Sequence, residues 1–412
     1  MKTIWLIYPY GEISGEKYLE ARYIRFGRML ANHGYKVIFW MANFSHVFKK
    51  RRSRGWKTIN VIPNFDIKLV PSLSYKRNIS FGRVLFELSY SVSLAKAFRK
   101  CEKPDLILTS GTGLITSFYP VWPYMKNQDV PVIYDIMDVH MFNSYVKQNF
   151  KFLTPLAKVV TSVIEYREKP FYHHVSAVSA LGRNQLEIAI KRIGKPDVPS
   201  CLVYNSIVID DFREMMKKPC PVHLPEKEPG WIWCVYAGSL GPSYDIPSIL
   251  ECAELSKRNH DKIRYIIAGA GPYEDSIKKA ALANDRIVFL GSLKPEVLPS
   301  LYARCDIGLC SYVSFSTVDM PDKFYDYIAA GLAVVNSLQG EIKEYVTKGG
   351  TGLQYAPENA QSLYECLQKM LDGDSLKDYR QRSYELAERF DLNALMRPLL
   401  AMVDRLTEDR KE

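Results

Sequence analysis

Lys323 and Asp326 stand three residues apart in Val318–Val335, VDMPDKFYDYIAAGLAVV, just behind Pro321. Proline suits the first turn of a helix, and the free N–H groups and positive end of that turn favour a diphosphate. Lys323 adds charge in the same turn. Asp326 falls on the same face, where its carboxylate can accept hydrogen bonds from a ribose diol. Phe324 continues the run, and Ala329, Ala330 and Gly331 are small enough for the helix to pack closely and then stop. Position alone leaves the plain alternative, a capped surface helix with one solvated Lys–Asp pair, equally open.

A second group lies in VIYDIMDVH. A carboxylate at the end of a buried strand can take or position the proton of an attacking hydroxyl, and Asp138 is the residue so placed. Asp135 and His140 compete for the role, and a structural acid capping the next turn is the plain alternative. No metal site is expected. The eight cysteines form no CxxC pair, no histidine cluster stands near them, and no DxD-like pair precedes a Gly-rich loop. They read as small buried hydrophobes in a reduced protein.

The elements that must hold these groups repeat a pattern of β-branched run, turn and amphipathic helix. TIWLIYP, KVIFWMA, DLILTSG, VPVIYDIMD and HVSAVS read as buried strands, with EARYIRFGRMLANHG and ALGRNQLEIAIKRIG as helices. A proline-rich, charged stretch from Arg213 to Gly230 reads as a linker. The alternation then restarts with WIWCVYAG, IRYIIAG, RIVFLGS, DIGLCSY, AVVNS and TGLQY. Such runs predict parallel sheets covered on both faces, with ligands bound at the carboxyl ends of the strands. Two domains are expected, about 1–215 and 230–390, with a helix over 392–412 packing back on the first. At 412 residues, 47% hydrophobic and 24% charged, the chain can bury two cores, and disorder and collagen-like order are excluded.

The net charge is +10, concentrated in Asn43–Lys57, NFSHVFKKRRSRGWK, where six Lys/Arg alternate with Phe44, Phe48 and Trp56. Nucleic acid, anionic lipid and plain solvent are the possible partners. No groove-reading helix or aromatic single-strand platform accompanies the segment, so nucleic acid is not expected. Phe142–His173 carries Leu153, Leu156, Val160 and Val163 at helical spacing among Lys147, Lys151, Lys158 and Arg167. It suits a lipid interface or a core-facing helix. No secretory signal and no apolar stretch of ~18 to 20 residues is present, so membrane work is expected from the cytoplasmic surface.

The chain resembles the family-4 retaining glycosyltransferases with the GT-B fold over nearly its whole length. PDKFYDYIAAG is similar to the PSK-x-F-E-Y-x-A-A-G helix of the capsule, O-antigen and exopolysaccharide branch. Tyr236–Ile246, YAGSLGPSYDI, resembles the loop that opens the donor domain, which brings in Gly238 and Ser239. IIAGAGP and FLGSLKPEVLPSLYARCDIGL follow in family order, with Leu293 where the base would meet backbone groups. GEISGEKYLEARYIRFGRMLANHGYKV resembles the first loop and helix of the acceptor domain, with Gly15 and Lys17, and Asp138 holds the acidic place after VIYDI.

The resemblance implies two Rossmann-like doubly wound domains facing a cleft. It implies transfer of a hexose or N-acetylhexosamine from a nucleotide diphosphate, UDP for preference, to a lipid-linked or saccharide acceptor. Retention, no metal and no cofactor beyond the donor are expected. Two departures bear on the donor site. Val318 stands where the wider family has the first of two acids, with Asp319 the nearest substitute, and the loop GSLGPSYDI has neither Arg nor Lys. A non-catalytic or weakly active subunit, or a UDP-sugar epimerase, are the alternatives.

Overall fold

The computed structural model of the protein describes residues 1–13, 21–78, 80–110, 114–128, 130–137, 154–371 and 374–408. Two compact units result, one of residues 1–203 with 396–412 and one of 204–395.

The first unit is built on an eight-stranded sheet. Its strands are β1 (Thr3–Ile7), β2 (Lys36–Ala42), β3 (Lys57–Ile62), β4 (Phe65–Val70), β5 (Leu106–Ser110), β6 (Val132–Ile136), β7 (Ala177–Ala180) and β8 (Ser200–Leu202). They run in the order β3-β4-β2-β1-β5-β6-β7-β8. All neighbours are parallel except β3 and β4, a hairpin closed around Pro63–Asn64. Every residue of β5 and β6 is buried, which is why those runs carry no polar alternation. Helices Arg22–Asn32, Phe81–Phe98 and Arg183–Ile193 are among those covering the sheet. The end of helix Leu392–Glu408 joins this unit, where Tyr35 donates to Asp404 and Lys2 to the carbonyl of Thr407.

The second unit has six parallel strands: β9 (Ile232–Ala237), β10 (Ile263–Ala268), β11 (Ile287–Phe289), β12 (Ile307–Cys310), β13 (Ala333–Asn336) and β14 (Gly352–Gln354). Their order is β11-β10-β9-β12-β13-β14. The order turns back between β9 and β12, the point at which sheets of this kind leave a crevice at their carboxyl ends.

Three features differ from the sequence reading. The hairpin β3–β4 was not expected, because Lys57, Asn60, Asp66 and Lys68 interrupt the apolar residues of its two strands. The unit boundary falls at Val203/Tyr204 instead of in the proline-rich stretch. Helix Ile209–Met216 belongs to the second unit, where Phe212 stacks near Tyr302 and the Arg213 guanidinium lies 3.6 Å from the centre of the Tyr384 ring. Contacts made far along the chain decide such a boundary, and local composition does not record them.

Candidate functional site

Helix Asp322–Ala329 begins beyond the end of β12, with Pro321 at its N-cap. No side chain caps it by a hydrogen bond, and Asp322 is the acidic residue of its first turn, whose N–H groups carry the partial positive charge of a helix start. Lys323 leaves this first turn and runs inward. It is 9% exposed, and its Nζ has no hydrogen-bond partner among the described residues. Three rings surround it, with centres 3.9 Å (Tyr236), 4.9 Å (Tyr244) and 5.1 Å (Tyr312) from Nζ. Tyr236 is the last residue but one of β9, Tyr244 closes the loop after it, and Tyr312 follows β12. The cage therefore stands at the topological switch of the second sheet.

Ring faces attract a cation, but they do not replace the hydrogen bonds that an ammonium makes in water. Burial lowers the Lys323 pKa to about 8, against the raising influence of Cys310, Asp322 and Asp326. Burial also pushes the Cys310 thiol up to about 12, so that group is neutral beside the lysine.

Gly238 completes the arrangement. It lies exposed in the loop after β9 with φ at +149°, and a Cβ there would stand 3.1 Å from Lys323 Nζ. The lysine thus reaches the donor-type loop from beneath, through the space that a side chain would fill. Tyr236 Oη donates to the Ser239 carbonyl at 2.6 Å, tying the cage wall to the same loop. The Gly-rich turn after β10 supports it. Gly238 N–H donates to Ala268 and Leu240 N–H to Ala270, and a Cβ at Gly269 would fall 1.9 Å from the Gly238 carbonyl oxygen. That close approach explains the glycine in IIAGAGP.

Asp326 sits one turn further along the helix, half-buried, close enough to Lys323 to favour its charged form. Asp319 does something the sequence did not suggest. Its Oδ1 accepts the Glu341 N–H at 2.5 Å and its carbonyl accepts from Ile342, which joins the loop after β12 to the turn before helix Ile342–Thr347. Its Oδ2 is buried without a partner among the described residues. Ser239 is exposed in the loop, and Leu293 is half-buried beyond β11. Phe324 requires correction as a ligand-lining side chain. It is fully buried, packed among Tyr325, Tyr345 and Phe390, and holds the helix on its unit from the inside.

In the first unit, Asp138, His140, Gly15 and Lys17 lie outside the described residues. Asp135 is described, and its surroundings remove it as a competing base. It is fully buried, and Arg22 donates to both of its oxygens, at 3.0 and 2.8 Å, while Ser179 donates at 2.6 Å. An acid so engaged is a strut between helix Arg22–Asn32 and strands β6 and β7. Neither Arg22 nor the tyrosine cage was found from the sequence. Tyr236, Tyr244 and Tyr312 all stand in stretches with other reasons to be noticed, but their spacing does not say that they converge.

The basic segment is also spent largely on structure. Phe44 is buried and bridges Arg51, which donates to the Ser72 carbonyl, and Arg52 donates to those of Ala42 and Gly11. Lys49 lies over the Tyr75 ring. In helix Thr154–His173, Glu168, Phe171 and Tyr172 turn inward, while Val159, Val163 and Tyr166 are exposed. Among the described residues, no group of three or more His, Cys, Asp or Glu is placed to hold a metal ion. No described helix is long and apolar enough to cross a membrane. Six of the cysteines are buried, and all eight are free thiols.

Residues 233–373, which contain the cage, the glycine loops and Asp326, match the protein family described as "Glycosyl transferases group 1". The UDP-glycosyltransferase TURAN of Arabidopsis thaliana is 33% identical over 114 residues, 26% of this chain and 24% of that protein. Chitobiosyldiphosphodolichol beta-mannosyltransferase of Debaryomyces hansenii is 26% identical over 134 residues, covering 30% and 28%. The chain thus spans about a quarter of the length of the curated relatives it matches.

Likeness in solved structures runs over the whole chain at low identity. Sucrose-phosphate synthase of Thermosynechococcus elongatus superposes with a TM-score of 0.69 at 16% identity, covering 99% of this chain and 100% of the other. HepE of Anabaena, solved with UDP, gives 0.62 at 15%, covering 98% and 100%. WaaG, a glycosyltransferase of lipopolysaccharide biosynthesis, gives 0.60 at 16%, covering 97% and 98%. These likenesses show the fold: two α/β units on largely parallel sheets, the GT-B architecture of glycosyltransferases.

Proposed function

We propose that the protein transfers a sugar from a nucleoside diphosphate, UDP for preference, to a lipid-linked or saccharide acceptor in cell-surface polysaccharide biosynthesis. The observation that carries this is the buried ammonium of Lys323, without a hydrogen-bond partner among the described residues and packed against the Gly238 loop at the start of a helix with no side-chain cap. An anion brought to that point meets a cation, a helix N-terminus and a glycine turn together. The loop itself has no Arg or Lys, and Lys323 supplies the missing charge from the helix. HepE with UDP and the name of the Arabidopsis relative support the choice of base.

In the reaction so read, the acceptor hydroxyl oxygen forms a bond to the anomeric carbon on the face that the diphosphate leaves. The bond from that carbon to the phosphate oxygen breaks, and the departing oxygen takes the hydroxyl proton. Lys323 and first-turn amides neutralise the charge that develops on the diphosphate, so the transfer is read as retaining and metal-independent. Asp326 holds the ribose and Asp319 Oδ2 a sugar hydroxyl. Asp138 orients the acceptor.

UDP without divalent metal is expected to raise the melting temperature, since a hundredfold excess over the dissociation constant contributes ~2.7 kcal/mol. Asp326→Ala is expected to weaken UDP by ~1.5 to 3 kcal/mol in calorimetry. Asp138→Asn is expected to leave UDP affinity intact and to slow transfer, by ~10² to 10⁴-fold if the carboxylate and not the departing phosphate takes the hydroxyl proton. A melting curve unmoved by UDP and other nucleoside diphosphates, or moved only with added metal, would overturn the donor site.

A further inference from the structure

Helix Phe81–Phe98 is apolar on two opposite sides. Phe86, Tyr90, Leu94 and Phe98 recur every fourth residue and are buried against the sheet of the first unit. Phe81, Leu85, Leu88 and Val92 face the other way and stay between 38% and 75% exposed. A helix of a soluble domain ordinarily puts charge on that second side, and an apolar row left there marks a contact surface.

The same row changes character at its end. Leu88 and Val92 are followed at four-residue spacing by Lys96 and Lys100, and these two open a groove of about 540 Å³ between the helix and the hairpin β3–β4. Lys57 and Lys68 line its other wall, with the rings of Trp40 and Trp56 between them. No carboxylate lines the groove, and none of the four lysines pairs with an acid among the described residues. Lys68 Nζ lies 4.9 Å from the centre of the Trp40 ring. Trp56 is half exposed at the rim.

We propose that this groove seats the headgroups of anionic phospholipids while the row Phe81–Val92 lies in the membrane surface. Charge complementarity selects the occupant. Four unpaired lysines call for several negative charges, and exposed indole suits the depth at which headgroups meet acyl chains. A soluble polyanion would satisfy the lysines and leave three turns of apolar side chains in water. A bilayer surface satisfies both, because its anionic and apolar layers are adjacent in the order in which the helix presents them. The inference rests on the reading of a lipid-linked acceptor and moves the contact off the Arg51–Arg52 run, whose guanidinium groups are occupied with backbone carbonyls.

The test is co-sedimentation of the full chain with vesicles of phosphatidylcholine alone, or with about one third phosphatidylglycerol. Wild type should bind the anionic vesicles and not the neutral ones. Lys57→Ala/Lys96→Ala/Lys100→Ala should weaken that binding by roughly tenfold or more, and Leu85→Gln/Leu88→Gln should weaken it too. A control of equal charge, Lys279→Ala/Lys348→Ala/Lys377→Ala in the second unit, should bind nearly as wild type. The UDP-induced melting shift, read in every variant, reports the fold and the donor site separately. Binding equal in the groove variant and wild type would overturn the assignment. So would a dimer dissolved by Leu85→Gln/Leu88→Gln, or release of the vesicles by soluble glycerol phosphate alone. Wild type that ignores anionic vesicles would sink the lipid-surface reading as well, while an intact UDP shift would leave the sugar-transfer reading standing.

Discussion

Arg22 and Lys323 are the same 9% exposed, yet the protein treats the two cations in opposite ways. Arg22 spends its donors on both oxygens of Asp135 and on the Val203 carbonyl. Lys323 has three tyrosine faces and no hydrogen bond among the described residues. A buried charge with its counter-charge in place is finished structure, and removing either partner strands the other. A buried charge without one is a cost that the fold carries until an anion arrives. The ring faces offset part of that cost, and the downward displacement of the Lys323 pKa registers what is left. The difference separates a strut from a binding group more sharply than burial or residue type does.

The largest effect should come from breaking the strut. Arg22→Met leaves the Asp135 carboxylate buried with Ser179 as its remaining partner, and should lower unfolding stability by roughly 3 to 5 kcal/mol. Replacing both residues, as Arg22→Met with Asp135→Leu, should recover much of that loss. Denaturant unfolding of the single and double variants reads it. A single variant within about 1 kcal/mol of wild type would mean that the pair is not what holds Asp135 in place.

Lys323→Met should do the reverse to the free protein. Removing a caged cation relieves its burial cost, so the ligand-free chain should gain on the order of 2 kcal/mol at neutral pH. UDP affinity should fall by ~1.5 to 3 kcal/mol, as for a lost charged contact. The sign follows from the displacement of the pKa from 10.5 to about 8. Below about pH 8 the folded chain pays the full cost of a charged Lys323. Between there and the unfolded value it sheds the proton, and stability recovers as pH rises. Donor binding runs the other way, holding below about pH 8 and weakening above it as the cation is lost, by up to about tenfold per pH unit. Calorimetry of UDP across that range should show the slope in wild type and a flat profile in Lys323→Met. A variant that is less stable and binds UDP normally would make Lys323 a second strut.

The smallest effect should be Tyr244→Phe. The cage uses ring faces, and no hydrogen bond of the Tyr244 hydroxyl enters it, so UDP affinity and melting temperature should stay within about 0.5 kcal/mol of wild type. Tyr244→Leu removes the face and should lower the affinity measurably. Equal behaviour of the two variants would show that the ring matters only as bulk.

Strands were legible wherever burial on both sides made the sequence uniformly apolar. TIWLIYP, DLILTSG and IRYIIAG became β1, β5 and β10 for that reason. Hairpin β3–β4 was not legible, since edge strand β3 lies partly in water and polar residues interrupt the apolar ones in both strands. Helix Asp322–Ala329 was legible from Pro321 and the small residues after it, and so were Lys323 and Asp326 on it. What stayed hidden was the use of neighbouring residues. Phe324 stands beside Lys323 in the motif, but it points into the Tyr345–Phe390 cluster.

Local spacing was enough to determine two α/β units, the glycine loops, and a lysine and an aspartate on one face of a short helix, because those features depend on residues within a few turns of one another. Whether a cation is answered or left waiting depends on what arrives from elsewhere in the chain. Asp135 reaches Arg22 across 113 positions of sequence, while Tyr236, Tyr244 and Tyr312 come from a strand and two loops to surround Lys323 with no acceptor among the described residues. Only the packing of the sheets brings those groups to the distances at which charge, ring face and hydrogen bond act, so only the tertiary structure decided which cation is structure and which one is the site.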